Sequence, residues 1–341
     1  MDKIFDISPI DLPFTDAVSS GQADNTYKEF VSERLAVADK DNADIDGADA
    51  SGNDTVLGQR FGAYTQLLTK IVRVSDRGRD VRTIGNSDEL IRQLMKRNKE
   101  IRRDCEAALT SHNPSVAGDS STASKMAGVG SWIGIKLDTV AATTSERGVG
   151  GADPVLSGAS GNGGTPTTAA TAGTTRALTE SAVRDMMKEA YLNGGDPTMA
   201  MSTPSVIEKF SSYLFTSSAR IATLQSDVKQ SNTTSASSGN GNSGGGVVAQ
   251  GSINVMVTDF GTIELVPNRF MPQATTDNDS LYLIDPTTWE VSYLSGYRTK
   301  PLARNGLAEN RQISADVTLC AMSPDGNAIV ADIDADLAMT A

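Results

Sequence analysis

The densest set of side chains that could do chemistry is an acidic stretch, DNADIDGADASGND, at residues 41–54. Its aspartates and glycines resemble a calcium loop, which needs oxygen ligands at fixed positions and a bidentate Glu at the twelfth. Counted from Asn42, Asp44 and Asp46 fall at positions three and five, but position twelve is Asn53. An amide cannot supply two charged oxygens. The alternative is a polar turn at the tip of a long hairpin, and cation binding there stays open.

Other catalytic patterns are sparse. The chain has one histidine, His112, in the turn-like SHNPS, and no GxSxG, GxxxxGK[ST] or HExxH motif surrounds it. The segment GNGGTP at 161–166 resembles a phosphate loop but lacks the lysine and the preceding strand. Cys105 and Cys320 are far apart and show no CxxC spacing, which favours buried free thiols. We therefore expect a protein that is not an enzyme and that uses no cofactor and no structural metal.

Composition points away from an ordinary compact globule. Only 38% of the 341 residues are hydrophobic and 5% are aromatic, so part of the chain should be extended and rely on partners. The net charge of −12 repels nucleic acid phosphate. The start is acidic and broken by prolines, and no run of about 18 apolar residues occurs, so we expect no membrane span and a soluble protein made in a reducing compartment.

The first part of the chain indicates extended structure. Residues 1–34 carry scattered apolar side chains and read as an arm that lies over another surface or is partly disordered. The β-like stretches 33–38 and 60–75 flank the acidic stretch and predict a long two-stranded ribbon. An isolated ribbon of this kind is only marginally stable, so we expect it to pack on another subunit. The segment SDRGRDVR (75–82) reads as a charged hinge.

The strongest helix signal covers residues 86–111. Asn86 is the predicted cap, with Glu89 three residues later. Apolar residues recur at spacings of three and four and predict the buried face. These residues are Leu90, Ile91, Leu94, Ile101, Cys105, Ala108 and Leu109. A basic stripe of Arg92, Lys96, Lys99 and Arg103 lines the other side.

The remainder alternates between low-complexity segments and regular elements. Residues 156–175 predict a mobile or draped loop, and 231–246 a flexible insertion. Between them, helical periodicity at 178–195, an apolar strand at 198–203 and a Pro-led helix at 204–215 form an α/β unit. Trp132 and Ile133 are predicted to anchor a loop in a core, and alternation over 247–333 predicts several strands.

The order arm, hairpin, long helix, α/β unit and late strands resembles the major capsid proteins of tailed bacteriophages, which have the Hong Kong 97 fold. More narrowly, it is similar to the SU-ten-like major capsid family. Three segments carry the resemblance, and the insertions 156–175 and 231–246 depart from it. The segments are NADIDGADA (42–50), SKMAGVGSWI (124–133) and GGDPTMAMSTPSVIEKF (194–210).

The resemblance implies an α+β fold of the Hong Kong 97 type, with an N-terminal arm, an extended β-hairpin loop, a peripheral domain containing a long spine helix, and an axial α/β domain. The boundaries it implies are an arm at 1–34, an extended loop at 35–80, a peripheral domain at 81–175 with spine helix 87–110, an axial α/β unit at 176–246, return strands of the peripheral domain at 247–285, and the remaining axial strands and C-terminus at 286–341.

The function implied is that of a major capsid protein that forms hexamers and pentamers of an icosahedral head around double-stranded DNA. Its partners would be other copies of itself, decoration or cement, scaffolding and portal proteins, and packaged DNA by non-specific proximity, with no membrane. It would reside in the virion after assembly in the host bacterial cytoplasm. The expected assembly contacts pair acidic and basic residues of neighbours: Asp44, Asp46, Asp49, Arg73, Arg77, Arg79, Arg82, Arg92, Lys96, Lys99 and Arg103.

Two other classes stay under consideration. An encapsulin-like compartment would share the fold but would be expected to have a cargo-binding groove and to contain no DNA. An extracellular adhesin would need a secretion signal, and the start of the chain does not resemble one. An enzyme is disfavoured because the usual acid–base and nucleophile constellations are missing.

Overall fold

The computed structural model describes residues 10–33, 35, 38–43, 45–47, 58–81, 88–135, 143–158, 163–216, 255–271, 279–304 and 306–340. Helices and strands are mixed along this part of the chain. The α-helices are α1 Pro13–Ala17, α2 Asp76–Asp80, α3 Glu89–Leu109, α4 Val129–Trp132, α5 Glu180–Leu192 and α6 Pro204–Thr216. The strands are β1 Ser19–Gln22, β2 Tyr27–Ser32, β3 Gln59–Tyr64, β4 Gln66–Ser75, β5 Ser145–Glu146, β6 Val155–Leu156, β7 Pro166–Thr168, β8 Met199–Ser202, β9 Val255–Thr258, β10 Gly261–Pro267, β11 Asp279–Ile284, β12 Trp289–Pro301, β13 Ala308–Ala321 and β14 Ala328–Ile333.

A four-stranded sheet in the order β1-β12-β13-β4 supports the long helix α3. Val72 and Val74 of β4 pack against Leu90 at the start of α3. Because side chains alternate along a strand, the even-numbered residues of β4 face the helix and the odd-numbered ones face away. Lys70 follows this pattern, since its ammonium lies 2.6 Å from the Asp104 carboxylate of α3.

A six-stranded sheet in the order β5-β14-β11-β8-β10-β9 is covered on one face by α5 and α6. Ala200 of β8 faces these helices, whereas Met199 and Met201 face the core that contains α3 and α4. The strand is buried on both faces, which explains why MAMS reads as a continuous apolar run. Trp132 and Ile133 are fully buried in the core shared with α3, as the sequence predicts.

The long helix matches its predicted position, but two details of the prediction are wrong. Helix α3 begins at Glu89, and the Asp88 carboxylate caps it by accepting a hydrogen bond from the amide of Leu90 at 2.9 Å. The predicted cap, Asn86, lies outside the described residues. Ile91 is 51% exposed, not buried, because it follows Leu90 by one residue and turns away from the sheet.

The predicted ribbon pairs differently from the expectation. The stretch 60–75 is two strands, not one. The first, β3, pairs antiparallel with β2 from Tyr27↔Tyr64 to Ser32↔Gln59. The second, β4, pairs with β13 in its own molecule. The ribbon therefore uses residues 27–32 where the pattern predicted 33–38, because a β-pattern fixes the strand but not its partner.

The strands beyond residue 247 divide between the two large sheets. Strands β9, β10 and β11, expected to return to the peripheral domain, lie in the six-stranded sheet beside β8. Strands β12 and β13, expected in the axial domain, join β4 under α3. Strand β14 lies in the six-stranded sheet between β5 and β11. Chain order alone does not determine which sheet a strand enters when both sheets are built from distant segments.

The N-terminal segment is part of the fold from residue 13 onward. Phe14 is fully buried, and its ring meets Trp289 edge-on at 6.2 Å between centroids. Strand β1 extends the four-stranded sheet by pairing parallel with β12. Residues 13–32 of the predicted arm thus lie on the core of their own molecule through Phe14, Val18 and Phe30, and the arm as a separate domain stays a prediction.

Candidate assembly surfaces

The acidic candidates lie in the connection between β2 and β3. Asp46 is described and exposed, while Asp44 and Asp49 lie outside the described residues. Ile45, between Asp44 and Asp46 in the sequence, is 81% exposed. Within the described ranges, no group of three or more His, Cys, Asp or Glu is arranged to hold a metal ion. The tip therefore presents an aliphatic side chain next to carboxylates.

The hinge cations divide into paired and unpaired groups. Helix α2 is capped by Ser75, whose hydroxyl accepts a hydrogen bond from the Gly78 amide at 3.2 Å. Arg79 is bound within the molecule, with its guanidinium 2.7 Å from the Glu309 carboxylate. Arg73 and Arg77 are exposed and have no ion-pair partner among the described residues. Arg82 lies outside the described residues.

Glu309 organises the ion pairs at this hinge. Its carboxylate accepts hydrogen bonds from Arg311 at 2.8 and 2.9 Å, and these bonds hold the pKa of Glu309 below its usual value. Arg304 makes a separate pair with Asp76 at 2.5 Å. The hinge is thus tied to the β12–β13 hairpin by groups of the same chain, and Arg79 takes part in this contact.

The basic residues of α3 do not form one free stripe. Arg92 is bound to Glu89 through two hydrogen bonds, and this contact raises the pKa of Arg92. The Arg103 guanidinium lies 4.8 Å from the centroid of the Phe270 ring, a cation–π contact. Lys99 also has an interaction of its own. Lys96 alone of the four is exposed and without a partner in the described part of the chain.

A buried carboxylate on α3 was missed by the sequence pattern. Glu106 is fully buried and accepts hydrogen bonds from the amides of Phe14 at 2.8 Å and Thr15 at 3.0 Å. The hydroxyl of Thr15 and the side-chain amide of Asn268, at 2.9 Å, also donate to it. Glu106 thereby joins α1, α3 and the loop after β10. Glu106 follows Cys105 within the apolar stripe of α3, and this position is the sequence feature from which its burial could have been predicted.

A glycine strap, residues 163–168, supports the base of the ribbon. The amide of Gly164 donates to the Arg60 carbonyl at 2.8 Å, and the amide of Gly62 donates to the Gly164 carbonyl at 3.2 Å. Gly163 has φ +77°, and a Cβ there would lie 2.1 Å from the Arg60 carbonyl oxygen. The described part of the predicted mobile loop is thus hydrogen-bonded to β3, and glycine is required for this approach.

The single histidine lies in a polar pocket of the core. His112 Nε2 is 3.2 Å from the Ser280 hydroxyl and 3.3 Å from the Tyr282 hydroxyl. Burial, with a smaller effect of the Arg147 charge, lowers the pKa of His112 to about 4. The buried Nδ1 has no hydrogen-bond partner among the described residues, so no carboxylate orients the ring. The ring thus links Ser280 and Tyr282 within the buried core.

Together, the two sheets, the long helix and the exposed ribbon define a mixed helix-and-strand fold of the Hong Kong 97-like capsid class. The capsid of cyanophage A-1(L) shares this fold at a TM-score of 0.55, with 12% identity over 98% of this chain and 96% of that one. A holo-SrpI encapsulin complex from Synechococcus elongatus matches at a TM-score of 0.50, with 11% identity over 97% of this chain and 90% of its own. The fold alone does not separate the two classes.

Sequence comparison separates them. The family model described as SU10 major capsid protein matches residues 1–334, so the chain belongs to this family. A major capsid protein of Escherichia phage Phieco32 is 23% identical over 347 residues, which cover 95% of this chain and 90% of that protein. The chain is a major capsid protein of a tailed phage, as the sequence resemblance predicts. No described helix is both long and apolar enough to span a bilayer.

Proposed function

We propose that copies of this chain assemble into hexamers and pentamers and close into an icosahedral head around double-stranded DNA. The observation that carries the proposal is the capsid family match over residues 1–334. In this role the chain is a structural protein of the virion and not an enzyme. Assembly takes place in the host bacterial cytoplasm, and decoration, scaffolding and portal proteins are its further partners.

Each of the two large sheets, with the helices that pack on it, corresponds to one domain of the capsid fold. The peripheral domain consists of α3 with the four-stranded sheet, and the axial domain of the six-stranded sheet with α5 and α6. The ribbon of β2 and β3 is the base of the extended loop. The glycine strap is hydrogen-bonded to β3 and so supports this ribbon. The 26 residues 33–58 connect the two strands of the ribbon. By chain length they reach at most about 43 Å from it, enough to cross onto a neighbour.

The acidic tip supplies one side of the contact between copies. Asp44, Asp46 and Asp49 meet basic groups of the adjacent copy, by charge complementarity. Among the basic candidates, Arg73, Arg77 and Lys96 are the exposed ones without a partner in the described part of the chain. The net charge of −12 suits the inside of a container, because a negative wall does not hold packaged DNA.

The test is to express the chain alone and to image the purified protein by negative-stain microscopy. Shells, tubes or capsomer rings are expected. A matched pair on α3 provides the control: Ile91→Asp, at an exposed position, should leave the protein folded, whereas Ile101→Asp, fully buried, should abolish folding and assembly. A wild-type protein that stays a uniform monomer at every concentration would contradict the proposal.

A further inference from the structure

One face of the four-stranded sheet exposes large apolar side chains along β4. Leu67 and Ile71 point to this face from β4 and are 61% and 59% exposed. The face is identified by register: Lys70, Leu68 and Val72 contact the α3 side, so the odd-numbered residues of β4 point the other way. Two large aliphatic side chains, about 13 Å apart along β4 with Thr69 between them, therefore stand on a surface that no described element covers.

Cations lie around Ile71. Ile71 pairs with Gln312 of β13, which pairs with Lys300 of β12, so Lys300 and Ile71 share a row. Arg298 lies one row away, in register with Ser314. Residues opposite each other in antiparallel strands point to the same face.

Arg73 completes the cationic set one row beyond Lys300, next to Asn310. From strand spacing, the three charges occupy a patch of about 13 by 10 Å. Arg73, Arg298 and Lys300 are exposed and have no ion-pair partner among the described residues. The one carboxylate in register on this uncovered area, Asp316, is at the opposite end beside Leu67, and its Oδ1 is buried.

We propose that this cationic face, defined as Leu67, Ile71, Arg73, Arg298 and Lys300, is the surface on which a second copy of the chain seats its acidic tip. This inference rests on the proposed shell function and assigns the surface that the tip contacts. The occupant follows from charge: residues 39–54 contain six aspartates and one lysine.

Spacing and apolar surface agree with the same occupant. Arg298 and Lys300 are about 7 Å apart along β12. Asp44 and Asp46, also two residues apart, span at most about 7 Å. Between them Ile45 exposes 81% of its surface, which matches the exposed Ile71 in the same row as Lys300. Within one molecule both apolar surfaces remain exposed, so a different copy must bring them together.

The contact can be tested by charge exchange. Arg298→Glu with Lys300→Glu should lower the yield of shells at least tenfold, and so should Asp44→Lys with Asp46→Lys. Combining all four changes in one chain should restore most of the yield, because the attraction is rebuilt with the signs reversed. Lys125→Glu with Lys188→Glu changes the charge equally at exposed positions off the face, and should assemble like wild type.

A covalent trap keeps the test independent of yield. Cys105 and Cys320 are buried, so added thiols act alone. Ile45→Cys with Ile71→Cys should give disulfide-linked ladders of chains under mild oxidation of shells. The control pair Ile45→Cys with Met95→Cys should give no such ladders, although Met95 on α3 is also exposed, at 63%.

The outcomes separate this contact from the shell function. Wild-type protein that never assembles would overturn the proposed function and this inference with it. Wild-type shells together with normal assembly of the Arg298→Glu, Lys300→Glu variant, or ladders from Met95→Cys and none from Ile71→Cys, would overturn this inference alone. Thermal melting of each unassembled variant verifies that the change leaves the fold intact.

Discussion

At the scale of single residues, Glu106 is the side chain that ties most of the chain together. Its carboxylate receives donors from α1 and from Asn268, which are remote in sequence. A helical pattern marks which face of α3 is inward, but it gives no information about what a polar residue on that face will meet. The apolar part of α3 was therefore predictable, whereas the partners of Glu106 depend on tertiary contacts.

Replacing Glu106 by Ala should strongly destabilise the chain. The change leaves buried amide donors of Phe14 and Thr15 unsatisfied, at a cost of about 3–5 kcal/mol. Glu106→Gln keeps the shape and one acceptor and should cost about half as much. Urea unfolding of the unassembled protein measures the loss. Glu100→Gln, in an ion pair with Arg97 on the same helix, is the control and should stay within about 0.5 kcal/mol.

Acidification should destabilise the protein through His112. Its folded-state pKa of about 4 lies below the usual value of 6.5, because burial disfavours the charged ring. The unfolded chain therefore binds the proton more tightly than the folded chain. The contribution of neutral His112 to the free energy of unfolding is complete above pH 6.5 and is lost as the pH falls towards 4. The loss reaches about 3 kcal/mol.

The chain has a single histidine, which makes this measurement unambiguous. The imidazole resonance of the unassembled protein should titrate near pH 4. The unfolding free energy of His112→Asn should fall less steeply than that of wild type between pH 6.5 and 4. Equal pH dependence of the two proteins, or a titration near 6.5, would contradict the assignment.

At the scale of elements, local pattern and chain topology account for different parts of the fold. Helices α3, α5 and α6 and strand β8 were predictable, because apolar periodicity, an N-cap or a leading proline is written within each segment. The pairing of β3 with β2, and of β12 and β13 with β4, was not, because strand partners are chosen by contacts between distant segments. The glycine strap was not predictable either, since its composition resembles a linker.

Two glycines with similar backbone angles allow the strap to be tested. Gly163 and Gly150 have φ +77° and +84°, but a Cβ at Gly150 meets nothing within 4 Å, whereas at Gly163 it meets the Arg60 carbonyl. Gly150→Ala should cost about 1 kcal/mol from backbone strain alone. Gly163→Ala should cost roughly 1–3 kcal/mol more, because the strap must move off β3.

Amide hydrogen exchange locates the effect of the Gly163 change. The amides of Gly62 and Gly164, which form the strap's bonds to β3, should exchange faster in Gly163→Ala and unchanged in Gly150→Ala. Protection of both amides at the wild-type level would mean that the strap does not support the ribbon.

At the scale of the whole molecule, two electrostatic effects oppose each other. Each copy carries a net charge of −12, so copies repel. The acidic tip adds to that repulsion at long range, yet at short range it is attracted to the cationic face. Salt weakens the repulsion and the attraction. It weakens the repulsion at lower concentration, because the repelling charges are farther apart than the Debye length, which is about 8 Å at 0.15 M.

Neutralising the tip distinguishes these effects. Changing the six aspartates between residues 39 and 54 to asparagine reduces the net charge from −12 to −6. If only repulsion mattered, assembly of this variant should improve at low salt, where repulsion is strongest. Because the tip also makes a specific contact, we expect assembly to fall at least tenfold at 0.15 M salt, measured by light scattering against protein concentration.

A control variant carries the same change of charge elsewhere and should assemble as well as wild type or better. In it, six other aspartates become asparagine: Asp11, Asp24, Asp119, Asp185, Asp196 and Asp336. If the tip variant assembled like this control, the charge of the tip would affect assembly only through the net charge of the whole chain.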